Sequence, residues 1–69
     1  MKIELNGRPV ELAPGATVAD AVIEAGAEAD DSRGIAVAVD GEVIRRAAWG
    51  MTELEGDQSV EVVRAVQGG

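Results

Sequence analysis

The amino-acid sequence predicts an α+β fold in which one helix packs on one face of a mixed five-stranded β-sheet. Short stretches of alternating apolar and polar residues, typical of half-buried strands, surround a single stretch with helical periodicity. Two tight-turn signals, Asn6-Gly7 and Asp40-Gly41, each join a pair of these stretches into a hairpin. A chain of 69 residues has room for one small core.

The first two strands are predicted at residues 1–6 and 8–12, on either side of the Asn6-Gly7 turn. Pro9 lacks a backbone N–H, so we expect the second strand at a sheet edge. Thr17 is a good N-cap for the helix, with Asp20 in the capping-box position, and Gly26 can end the helix in a left-handed conformation. The predicted apolar stripe of the helix consists of Val18, Ala21, Val22 and Ala25.

The second half predicts a polar loop, three further strands and an irregular segment that contains Trp49. In chain order these are the loop at 27–33, strands at 35–39 and 42–44, the irregular segment at 45–54, a turn at 55–57 and the last strand at 59–66. A hairpin, a crossover helix and a return strand place the first and last strands side by side in the sheet centre. This arrangement is the ubiquitin-like β-grasp, which we expect over residues 1–66, followed by a flexible tail at 67–69.

Composition excludes several classes of function. Six basic and 13 acidic residues give a net charge of −7, which argues against nucleic-acid binding and adsorption to an anionic membrane, and favours a partner with a basic face. The sequence has no histidine and no cysteine, so the commonest metal ligand, the commonest general base and thiolate chemistry are absent. We therefore expect no metal site and no catalytic site. Because no cysteine and no long apolar segment is present, we expect a cytoplasmic protein. We also expect the chain to be monomeric when it is free of its partners.

The most informative feature is the terminal pair Gly68-Gly69, which Gln67 joins to the last strand. Glycine has no Cβ, so this pair can enter a narrow channel and present the α-carboxylate of Gly69. Attack of that carboxylate on the α-phosphate of ATP would give an acyl-adenylate, from which sulfur or another nucleophile could displace AMP. ATP and Mg²⁺ would belong to the activating enzyme, and the chain itself would hold no cofactor. The alternative is an inert terminus.

The outer face of the sheet is a second candidate site. Strand alternation places four small apolar residues on the face away from the helix: Ala36, Ala38, Val63 and Ala65. Such a patch beside the tail favours docking onto a partner, although scattered exposed apolar residues are also ordinary. Trp49 could either cover the core or anchor an interface. The acidic residues Glu28, Asp30 and Asp31 have no regular ligand spacing, so we interpret them as a solvated loop.

Several segments together resemble one known family. They are Asn6-Gly7, Pro14-Gly15-Ala16-Thr17, the stretch 37–43 with its Asp40-Gly41-Glu42 turn, Trp49, Gly56-Asp57 and the final ten residues at 60–69. Across essentially the whole chain, the sequence resembles the ThiS-type sulfur carrier proteins of thiamine biosynthesis. Family members often have Pro-Arg before the Trp, and Arg45-Arg46 in that place is a minor departure.

The resemblance implies that a ubiquitin-activating-like (E1-like) enzyme adenylates Gly69 and that a persulfide-bearing partner converts it to a thiocarboxylate. Thiazole synthase would then accept the sulfur, which makes the chain a co-substrate and not an enzyme. Sulfur carriers for molybdopterin, cysteine or tRNA thiolation remain alternatives. A protein modifier linked through Gly69 is another alternative, although Lys2 as the only lysine disfavours self-linked chains. The last alternative is a plain binding module with an inert tail.

Overall fold

The computed structural model describes residues 1–26 and 34–64, and within these residues five strands form one mixed sheet with an α-helix on one face. The strands are β1 Lys2–Leu5, β2 Arg8–Glu11, β3 Ile35–Val39, β4 Glu42–Ile44 and β5 Ser59–Arg64, and the helix α1 spans Val18–Glu24. The order across the sheet is β2-β1-β5-β3-β4, with β1 and β5 parallel and the other pairs antiparallel. The predicted β-grasp, with the first and last strands adjacent, is confirmed.

Both predicted hairpin turns are present. Asn6 and Gly7 have φ angles of +52° and +82°, and Asp40 and Gly41 have φ angles of +50° and +86°. A type I′ turn needs positive φ at both central residues, and Asn, Asp and Gly adopt such angles most readily. The β2 strand lies at a sheet edge, as the missing N–H of Pro9 predicts.

The capping signals at the start of α1 are also confirmed. The Thr17 backbone N–H donates to Asp20 Oδ2 at 2.8 Å, and the Thr17 hydroxyl donates to the same oxygen at 3.2 Å. Gly26 has a φ of +93° directly after the C-cap residue Ala25, as predicted for a left-handed helix end. Ala25, which the periodicity places in the apolar stripe, is exposed because the regular helix has already ended at Glu24.

The prediction of an irregular segment at 45–54 is wrong, because Arg46–Met51 forms a 3₁₀ helix that packs against α1. The Ala48 N–H donates to the carbonyl of Arg45 at 2.9 Å, which closes the first turn. The Trp49 indole N–H donates to the Ile44 carbonyl at 2.8 Å, and its side chain is only 6% exposed. Trp49 is therefore a core residue that also ties this segment to the end of β4.

The core lies between α1 and the inner face of the sheet. Apart from Trp49 it is aliphatic, and it consists of Ile3, Leu5, Val18, Ala21, Val22, Val37, Val39, Trp49, Leu54 and Val60. Because these positions alternate along β1, β3 and β5, their strand neighbours face the other side of the sheet. None of the helices in the described residues has the length and hydropathy needed to cross a membrane.

Candidate functional site

The outer face of the sheet carries three of the four small apolar residues predicted there. Ala36 is paired with Val63 across β3 and β5, and both are exposed, with Val63 at 59%. Ala38 follows on the same face and is half-buried. The fourth, Ala65, lies outside the described residues. The structure thus brings together Ala36, Ala38 and Val63 on the outer face of the sheet.

Val43 belongs to the same surface and was missed by sequence reasoning. It is paired with Ala38 across β3 and β4, so it faces outward, and it is 74% exposed. The signal was available, because a two-residue hairpin loop at Asp40-Gly41 fixes which residues of β4 oppose those of β3. We use the name outer-face patch for the set Ala36, Ala38, Val43 and Val63.

Acidic residues flank the outer-face patch. Glu61 is paired with Ala38 on β5 and is exposed, so it interrupts the apolar surface predicted from the sequence. Glu4 and Lys2 alternate with the buried residues of β1, and Glu11 lies opposite Lys2 on β2. Glu4, Glu11 and Glu61 therefore share the outer face with Lys2 and the patch, and Glu11 is also paired with the N-terminal ammonium of Met1 at 2.9 Å. A partner with an apolar centre and a basic rim complements this surface.

The C-terminal residues follow directly from the strand that carries Val63. Arg64 is the last described residue and is paired with Ile35 at the end of β5. Gln67, Gly68 and Gly69 lie outside the described residues. Five residues separate Arg64 from the C-terminal carboxylate, which sets a maximum reach of about 18 Å when the chain is fully extended.

Surface depressions are the other places in the described residues where a ligand could bind. Two surface depressions of about 420 and 430 Å³ lie beside α1. Neither is lined by a serine, threonine or lysine side chain, and α1 contributes carboxylates at Asp20 and Glu24. In residues 1–26 and 34–64, no three His, Cys, Asp or Glu side chains are grouped to hold a metal ion.

This architecture is that of a small ubiquitin-like β-grasp protein with an exposed apolar sheet face. The chain belongs to the ThiS family, whose family profile matches residues 3–69. The fold is similar to the crystal structure of a thiamine biosynthesis protein (ThiS) from Geobacter metallireducens, with a TM-score of 0.77 and 24% sequence identity over 100% of both chains. No curated protein is significantly similar to the chain in sequence. The family resemblance seen in the sequence is confirmed.

Proposed function

We propose that the protein is a sulfur carrier of thiamine biosynthesis, and that sulfur travels on the C-terminal carboxylate of Gly69. The observation that supports this most directly is the extent of the family match, which runs to residue 69 and so includes Gly68 and Gly69. The name of the structurally similar Geobacter protein points to the same biosynthetic route.

The proposed chemistry has three steps. A carboxylate oxygen of Gly69 attacks the α-phosphorus of ATP, pyrophosphate leaves, and an acyl-adenylate forms. A persulfide sulfur on a donor protein then attacks the acyl carbon, AMP leaves, and an acyl disulfide forms. Finally a thiol attacks the donor's sulfur of that disulfide, which releases the thiocarboxylate and leaves the donor and the thiol joined as a disulfide. The thiocarboxylate is the species that thiazole synthase would consume.

The carrier supplies the substrate carboxylate, and its partners supply the catalytic groups. The sequence lacks His, Cys and Tyr, which makes an independent enzyme an unfavourable interpretation. ATP and Mg²⁺ are assigned to the E1-like adenylating enzyme, where the metal ion would neutralise charge on the phosphates. The carrier then needs two properties, a surface for docking and a slim tail, and the outer-face patch and Gly68-Gly69 are the candidates for these.

Three other functions share parts of this description. Carriers for molybdopterin, cysteine or tRNA thiolation would use the same carboxylate with different acceptors. A protein modifier would share the adenylation step, but a lysine amine of another protein would attack the activated carbon. A binding module would leave the carboxylate unchanged. The nucleophile that finally bonds to Gly69 distinguishes these functions.

The test is intact-mass and C-terminal tandem mass spectrometry after incubation with ATP, Mg²⁺, the host's activating enzyme and a persulfide source. Replacement of one oxygen by sulfur on Gly69 is the expected result, and the same mixture without ATP should leave the mass unchanged. Adducts of Gly69 on lysines of other proteins would instead identify a modifier. If a control carrier is activated and this chain is not, the proposed function is wrong.

The docking role of the outer-face patch predicts the effect of Val63→Asp. An aspartate there places a charge in the apolar centre of the interface, so affinity for the activating enzyme should fall by at least about tenfold. The unfolding free energy should fall by only about 1 kcal/mol, because Val63 is exposed in the free protein and the main cost is the lower strand propensity of aspartate. Calorimetric titration and thermal melts measure the two effects.

A matched control is Ile23→Asp. Ile23 is 62% exposed, close to the value for Val63, but it lies on α1 on the opposite side of the sheet. This variant adds the same charge and should bind the activating enzyme like the wild type. If both variants lose affinity equally, the effect is one of net charge, and the outer-face patch is not the docking surface.

A further inference from the structure

We propose that Asn6 is a positioning residue that holds the end of β5 and thereby sets the direction in which the tail leaves the fold. That Asn6 holds the end of β5 is argued from hydrogen bonds within the described residues. The consequence for catalysis rests on the proposed function, because it concerns the placement of the Gly69 carboxylate in the activating enzyme.

The parallel pairing of β1 and β5 is short. It comprises Glu4 opposite Ser59 and Leu5 opposite Val60, and β1 then ends at Leu5 while β5 continues to Arg64. On its other side β5 is paired with β3 up to Arg64. Val62 lies beyond this pairing, so no residue of β1 stands opposite it. Its backbone N–H therefore needs another hydrogen-bond acceptor on the side of β5 that faces β1.

Asn6 supplies that partner through two hydrogen bonds. Its backbone N–H donates to the carbonyl of Val60 at 2.9 Å, which continues the strand ladder by one step. Its side-chain Oδ1 then accepts from the backbone N–H of Val62 at 2.8 Å. The side-chain carbonyl thus replaces the backbone carbonyl that a longer β1 would have offered. The bond spans 56 positions in the sequence and ends two residues before Arg64.

The choice of residue at this position follows from two simultaneous requirements. The chain turns into β2 here, so residue 6 has a φ of +52° and must tolerate the left-handed region. It must also carry a short side-chain acceptor. Glycine meets only the first requirement, whereas asparagine and aspartate meet both. The Asn6-Gly7 pair therefore has a role beyond the hairpin turn that its sequence predicts.

The direction of β5 matters because this strand carries part of the outer-face patch and also leads into the C-terminal tail. Val63 lies in the outer-face patch, one residue beyond Val62, and β5 ends at Arg64, three residues before the tail at 67–69. If the patch is docked on the activating enzyme, the position of residues 62–64 determines the point from which the rest of the chain continues toward the active site. A misplacement of about 1 Å at a reacting atom can reduce a rate by about 100-fold, so even partial loosening of this strand end should be measurable.

The experiment compares Asn6→Gly with Asn6→Asp in the full-length chain. Asn6→Gly keeps the turn but removes the acceptor, so hydrogen-exchange protection of the Val62 amide should fall by at least about tenfold. Protection of the buried Val37 amide should stay within about twofold of the wild type, which excludes a general loss of stability. Asn6→Asp keeps an acceptor and should restore protection at Val62.

Pyrophosphate exchange by the activating enzyme supplies the kinetic readout. For Asn6→Gly we expect kcat for carrier adenylation to fall by about tenfold with KM within about twofold, because the outer-face patch is intact and only the carboxylate is misplaced. Asn6→Asp should recover most of kcat. Unchanged protection at Val62 in Asn6→Gly would overturn the anchoring, and lost protection with unchanged kcat would overturn the positioning role. Absence of exchange with the wild-type chain would count against the proposed function itself, while Val62 protection still decides the anchoring.

Discussion

A chain that lacks Gly69 should fold normally but lose ATP-dependent activation by more than about 100-fold. The deletion moves the terminal carboxylate back by one residue, about 3.5 Å along the chain. An activating enzyme that holds ATP in a fixed position cannot follow that displacement, and a shift of 1 Å alone can cost about 100-fold. The measurements are pyrophosphate exchange and the mass of the thiocarboxylate.

The fold should not respond to this deletion. The sheet, α1 and the core are formed by residues up to Arg64, so the melting temperature of the shortened chain should equal that of the wild type. Gly69→Ala keeps the chain length and adds only a Cβ. It therefore tests whether the width of the partner's channel limits activation, independently of the position of the carboxylate. Formation of a thiocarboxylate on Gly68 of the shortened chain at the wild-type rate would contradict the tail hypothesis.

Local signals in the sequence were sufficient for most of the topology. The alternation of Ile35–Val39 and the type I′ turn at Asp40-Gly41 each depend on neighbouring residues only, so they predict strands and hairpins directly. The 3₁₀ helix at Arg46–Met51 has no comparable signal, since its six residues make only two turns and are too few for a periodic pattern to be recognised. Its position depends on the burial of Trp49, which is a tertiary effect.

The candidate site could be predicted only in part for a related reason. Strand parity alone identifies Ala36 and Val63 as outward-facing, and it would have identified Val43 had the register of the hairpin been followed to β4. The contact of Asn6 with Val62 depends on a parallel pairing between distant segments, and the sequence around Asn6 specifies a turn and nothing more. The tail was identified from residue types, and its placement on a partner remains a prediction.

Trp49→Ala should destabilise the protein more than any single exposed substitution. Trp49 is 6% exposed and lies in the core, and truncation of such a residue costs about 3–5 kcal/mol. A chain of 69 residues has a total stability of about 3–10 kcal/mol at typical values per residue. The substitution should therefore remove roughly a third or more of the unfolding free energy, as measured by circular dichroism and urea titration.

Trp49→Phe distinguishes the contribution of the buried ring from that of the indole hydrogen bond. Phenylalanine fills part of the same space but cannot donate to the Ile44 carbonyl, so this variant should lose about 1 kcal/mol for the bond and a further part for the smaller ring. The expected order of melting temperatures is wild type, then Phe, then Ala. A purely interfacial role for Trp49 would give the opposite pattern, with Trp49→Ala melting like the wild type but failing to bind the activating enzyme. The buried indole and its bond to the end of β4 favour the loss of stability, and any loss of binding in Trp49→Ala should scale with its unfolded fraction.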